Sequence, residues 1–126
     1  MEMKFTAPRA LGATLFLLGS LTASPVFAHA HLQQQTPAAN SEVSPAPQTL
    51  TLNFSEGIEP GFSGVTLTGP EKRIIPVGKA VRNEKDNTQL VIPLNETLGD
   101  GLYTVEWHVV SVDGHKTKGQ YQFSVK

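Results

Sequence analysis

Beyond residue 28, apolar and polar residues alternate with a period of two, and that period belongs to strands with one buried face, not to helices. Leu50, Leu52 and Phe54 alternate with Thr49, Thr51 and Asn53. Val65 and Leu67 alternate with Thr66 and Thr68, and Leu90, Ile92 and Leu94 alternate with Val91 and Pro93. The longest apolar face is Tyr103, Val105, Trp107 and Val109, with Thr104, Glu106 and His108 opposite, and Tyr121, Phe123 and Val125 repeat the pattern near the C-terminus. Turn signals separate these runs at Pro45 and Pro47, Glu59-Pro60-Gly61, Gly69-Pro70, residues 83–87 and Gly99-Asp100-Gly101. Further strands are expected around residues 31–35 and 73–77. The sequence therefore predicts an all-β domain: a small seven-stranded Greek-key β-barrel or sandwich of immunoglobulin-like appearance. At strand spacing the aromatic set Tyr103, Trp107, Tyr121 and Phe123 reads as core, not as a sugar-stacking platform. Residues 82–86 read as a solvated charged loop.

Residues 1–28 read as a cleaved signal peptide. Lys4 and Arg9 precede an apolar run over residues 11–21 too short to span a bilayer, and Val26-Phe27-Ala28 has the small-residue pattern of a cleavage site. Residues 29–126 then form one domain with a single core. The whole chain has 10 Lys and Arg against 11 Asp and Glu. Losing Lys4, Arg9 and Glu2 leaves about −2, which suggests neither nucleic acid nor an anionic membrane surface as a partner. With no cysteine there is no disulfide, thiolate ligand or lipidated cysteine. The expected location is the periplasm, as a monomer without membrane insertion.

Cleavage after Ala28 makes His29 the first residue, carrying both a free amine and an imidazole. A cut after Ala30 would expose His31 instead. The second cluster is Ser111-Val112-Asp113-Gly114-His115, directly after the longest strand. Asp113 and His115 are two apart, so extended backbone sends both side chains to one side, and Gly114 lets the chain bend. If the N-terminus packs beside that turn, the site holds an amine nitrogen, two imidazole nitrogens and a carboxylate oxygen, a donor set that suits Cu(II). Both methionines, Met1 and Met3, leave with the leader, so no soft sulfur ligand remains for Cu(I). His31, third from the new terminus, offers a competing chelate through the amine, two backbone amides and its imidazole. His108, on the polar face of its strand, is expected either to be exposed or to support a ligand without touching the metal.

The chain resembles the periplasmic CopC copper-resistance proteins, including the enterobacterial YobA-type members. The resemblance rests on the N-terminal histidine after a leader, Leu52-Asn53-Phe54-Ser55-Glu56, Phe62-Ser63-Gly64, Gly101-x-Tyr103-Thr104-Val105-x-Trp107, Val110-Ser111-x-Asp113-Gly114-His115 and Tyr121-x-Phe123-Ser124-Val125. It implies one Cu(II) per chain held by His29, Asp113 and His115, with Glu56 as a weak ligand or a group that orients one. It also implies copper homeostasis, by sequestration or by delivery to a CopD-type inner-membrane protein. No catalytic nucleophile or acid–base pair stands out in the sequence, so the chain reads as a non-enzyme. Members that bind Cu(I) carry a methionine-rich loop. The corresponding residues 72–87 contain none, so the Cu(II)-only branch is the better match. Two rival functions share these features. One is a copper monooxygenase built on an N-terminal histidine, as in lytic polysaccharide monooxygenases, and the other is a metal-free immunoglobulin-like interaction module.

Overall fold

The computed structural model describes residues 30–126; the expected leader and His29 lie outside the described residues. Nine strands follow in order: β1 (Leu32–Thr36), β2 (Glu42–Val43), β3 (Thr49–Phe54), β4 (Gly64–Thr68), β5 (Ile74–Ile75), β6 (Val81–Asn83), β7 (Asp86–Pro93), β8 (Gly101–Val110) and β9 (Lys116–Val125). Seven of these are the strands expected from periodicity. The other two, β2 and β6, had no alternation to betray them. Two residues in β2 are too few for a pattern, and β6 overlaps the charged stretch expected to be a loop. Backbone pairing does not need apolar side chains: Val81 pairs with Val91 and Arg82 with Leu90, so only Glu84 and Lys85 are left as the exposed tip of a hairpin. Nor is Arg82 simply solvated, because it is half-buried and donates a hydrogen bond to the Ile58 carbonyl at 3.0 Å.

The strands form two sheets, β1-β3-β7-β6 and β2-β9-β8-β4-β5. The chain crosses between them after β1, β2, β3, β5 and β7, as in a Greek key, and every pairing is antiparallel except β2 with β9. Of the two expected architectures the structure is the sandwich, since the sheets do not join edge to edge. Three of its four edge strands are only two or three residues long, which limits the unpaired backbone offered to other chains.

Alternation decides what lies between the sheets. Leu50, Leu52, Phe54, Leu90 and Ile92 face inward from the first sheet, and Leu67, Tyr103, Val105, Val109, Phe123 and Val125 from the second. Burying each large apolar side chain contributes about 1.5–3 kcal/mol. Phe54 meets Trp107 edge to face across the sandwich, with centroids 5.2 Å apart, and Tyr103 stacks on Phe123 at 5.6 Å. The indole needs space on the neighbouring strand. Gly119, the cross-strand partner of Trp107, provides it: a Cβ there would lie 2.6 Å from the indole ring. The aromatic set is thus core, as expected.

β8 and β9 pair without interruption from Gly101–Val125 to Val110–Lys116. This hairpin delivers residues 111–115 to one end of the sandwich.

Candidate metal centre

The connection 111–115 is held by its own backbone. Ser111 N–H donates to the His115 carbonyl at 2.9 Å, and Gly114 N–H donates to the Ser111 carbonyl at 2.8 Å. Gly114 has φ of +91°, a conformation that costs other residues energy, so a glycine between the two candidate ligands is required by the turn itself. The loop after β3 buttresses it: Val112 N–H donates to the Gly57 carbonyl, Glu59 N–H to the Val110 carbonyl, and Ile58 bridges to Ser111.

Within this frame Asp113 and His115 meet, with the carboxylate Oδ1 3.0 Å from the imidazole Nδ1. The same oxygen accepts from the His115 backbone N–H at 3.3 Å and, by a very short contact, from the Ser111 hydroxyl. Three donors on one oxygen favour its charged form. Ser111 foremost, then His115, holds the Asp113 carboxyl down at about 2, so it is an anion at any ordinary pH. Ser111 is 1 % exposed, whereas the pair it supports is open to solvent. Its role was not anticipated from sequence, although a hydroxyl two residues before an aspartate in a turn is a usable signal.

The N-terminal segment arrives at the same end. The Ala30 carbonyl accepts a hydrogen bond from the Thr117 hydroxyl at 3.0 Å, two residues beyond His115. His31 N–H donates to Ser55 Oγ at 2.8 Å, and Ser55 N–H donates back to the His31 carbonyl at 2.9 Å. Ala30 itself is buried and belongs to the core. Glu56 is half-buried on the loop between Ser55, which holds the N-terminal segment, and Gly57, which holds the turn.

The sequence-predicted residues thus divide into groups. Asp113 and His115 are brought into contact, Glu56 lies on the loop that touches both the turn and the N-terminal segment, and His31 is exposed at the start of β1. His108 is exposed on β8, paired with Gly64 and Lys118. His29 lies outside the described residues. Among the described residues no group of three or more His, Cys, Asp or Glu converges as a metal cage.

The donor chemistry of the Asp113–His115 pair can be tested against an ion. Two ligands each about 2.0–2.1 Å from a metal at a right angle lie roughly 2.9 Å apart. The observed 3.0 Å is an ordinary hydrogen-bond separation, and it is short enough for both groups to take neighbouring positions on one ion once His115 turns toward it. One carboxylate oxygen and one imidazole nitrogen, with no sulfur, fit a borderline divalent ion such as Cu(II).

Comparison with known proteins places these residues in context. A family model described as the CopC domain matches residues 32–126. The chain is 56% identical over 124 residues to Protein YobA of Escherichia coli K12, spanning 98% of this chain and 100% of that protein. It is 35% identical over 124 residues to copper resistance protein C of Xanthomonas campestris pv. juglandis, spanning 94% and 97%. The crystal structure of PcoC, a methionine-rich copper resistance protein from Escherichia coli, matches with a TM-score of 0.71 at 36% identity, covering 79% of this chain and 100% of that one. Unlike a methionine-rich protein, this chain has only Met1 and Met3.

Proposed function

The chain belongs to the CopC family, and from that premise we propose that it is a periplasmic copper-binding protein of copper resistance, whose cargo is one Cu(II) ion per chain. The ion is held by the amine and imidazole of His29, the Asp113 carboxylate and the His115 imidazole. The observation that carries this reading is the Asp113–His115 contact at 3.0 Å, beside a peptide group pinned at Ala30. Ala30, the first described residue, is hydrogen-bonded to Thr117, two residues beyond His115. Residues 1–28 act as the leader whose removal creates the amine ligand, and residues 29–126 form the copper-binding domain.

An anionic Asp113 partly neutralises the divalent ion, and the absence of thiol and thioether groups after the leader disfavours Cu(I). Reduction is therefore a route to release. The role is sequestration or delivery to a CopD-type inner-membrane protein, by a monomer that acts as a carrier and not as an enzyme. No helix among the described residues is long and apolar enough to cross a membrane. Glu56, on the loop touching both halves of the site, is placed to orient a ligand or bind weakly.

Titration of the protein beginning at His29 with Cu(II), followed by EPR, tests the reading. One equivalent in a tetragonal, nitrogen-rich site is expected, and His115→Ala should lose that spectrum. Adding one residue before His29 turns the amine into an amide and should weaken binding. An identical spectrum in His115→Ala would sink the folded site.

A further inference from the structure

A chain that begins at His29 offers Cu(II) two incompatible chelates. One is the site proposed above. The other is local: the amine, the backbone nitrogens of Ala30 and His31 and the His31 imidazole wrap one ion in a single plane, each backbone nitrogen giving up its hydrogen to solvent as a proton. The local chelate needs no fold and leaves Asp113 and His115 unused.

The structure holds the peptide group between Ala30 and His31 from both sides. Its oxygen accepts from Thr117 Oγ1 at 3.0 Å, and its N–H donates to Ser55 Oγ at 2.8 Å. Thr117 stands in β9 of the five-stranded sheet, and Ser55 follows β3 of the four-stranded sheet. One peptide unit therefore ties the two layers together at the end of the sandwich that carries the Asp113–His115 turn. Ala30, 2 % exposed, anchors the same unit through its methyl group in the core. To wrap an ion locally, the chain would have to break the Ser55 bond, turn the His31 nitrogen toward the metal and draw Ala30 out of its packing.

We propose that Ser55 and Thr117 are positioning residues that select the copper-binding mode, holding the Ala30–His31 peptide so that its nitrogen is withheld from Cu(II) and the terminus is presented to Asp113 and His115. This rests on the His29–Asp113–His115 reading and adds to it the reason that the local chelate does not form. Neither hydroxyl touches the metal.

The test uses the protein beginning at His29 with one equivalent of Cu(II), read by EPR and by the visible ligand-field band. Without further change, the spectrum should respond to His115→Ala and not to His31→Ala. In the double variant Ser55→Ala/Thr117→Val the dependence should swap. The band should move to shorter wavelength as amide nitrogens replace a carboxylate oxygen, the spectrum should collapse with His31→Ala, and His115→Ala should have no effect. Thr117→Ser, which keeps the hydroxyl, should retain the original spectrum. A folded double variant that still follows His115 overturns the clamp and leaves the site reading intact. A spectrum of the unaltered protein that ignores His115→Ala overturns the site reading and the clamp with it. Should the double variant fail to fold, Ser55→Ala alone removes one bond at an exposed serine. A His31-dependent component must then appear in its spectrum, and its absence overturns the proposal.

Discussion

Two exposed acid–base pairs lie near opposite ends of β8, and they are built differently. Near its start, Arg73 donates to Glu96 through its two terminal guanidinium nitrogens, at 2.7 and 2.9 Å. Beyond its end, Asp113 meets His115 at 3.0 Å. Their exposures are comparable, at 57% and 32% for the first pair and 46% and 37% for the second. Glu96 is held below its ordinary pKa chiefly by Arg73 alone. Asp113 is held at about 2 chiefly by a third residue, the buried Ser111, with His115 second. A pair of two mutual partners is satisfied and closed. A carboxylate fixed by a buried hydroxyl and a tight turn keeps its position when His115 turns toward an ion, and that makes it suitable for binding one.

Removing the third partner should have the largest effect. Ser111→Ala takes away the donor that fixes Asp113, and Cu(II) affinity should fall about 10–100-fold, the usual cost of losing a group that orients a ligand. Because Ser111 is buried, the melting temperature should also drop by about 4–8 °C. Glu96→Gln should leave copper affinity unchanged. Equal copper affinities for Ser111→Ala and the unaltered protein would erase the distinction drawn between the two pairs.

The second test is acid. Asp113 titrates at about 2 in the folded chain and near 3.9 when unfolded, so its charged form is favoured by folding. Its contribution to stability is fully present above roughly pH 4 and is lost as pH falls through the folded value. In copper-free protein, the difference in melting temperature between the unaltered chain and Asp113→Asn should close as the pH falls from about 4 to 2. A difference that persists undiminished at pH 2 would mean that the charge of Asp113 is not what Ser111 and His115 stabilise. The effect will be modest, because solvent screens the pair.

The smallest effect belongs to Arg73–Glu96. Arg73→Ala should lower the melting temperature slightly in dilute buffer, and about 1 M salt should abolish the difference. A large, salt-insensitive loss would show that this pair too is part of a supported network.

Much of this molecule was legible in its sequence because alternation is local. Leu50, Leu52 and Phe54, Tyr103 to Val109 and Tyr121 to Val125 sit where a period of two puts them. What escaped was the structure with no local pattern: the two-residue β2, and β6, whose pairing relies on backbone groups. The candidate site divides in the same way. Asp113-Gly114-His115 could be read directly, since two residues on one side of a bend meet by geometry. The clamp on Ala30 could not, because Ser55 and Thr117 are ordinary polar residues until the fold brings them together.

By itself the sequence determined the layer type, most of the core and the local pairing of a carboxylate with an imidazole across a glycine, because each depends on backbone geometry over a few residues. Tertiary structure alone decided that the Ala30–His31 peptide lies beside the end of the sandwich that carries the β8–β9 turn. That placement depends on Thr117 bonding a carbonyl 87 positions earlier and on Ser55 bonding an amide 24 positions earlier. Contacts of that separation exist only once hydrophobic burial has closed two sheets over one core and placed their ends side by side.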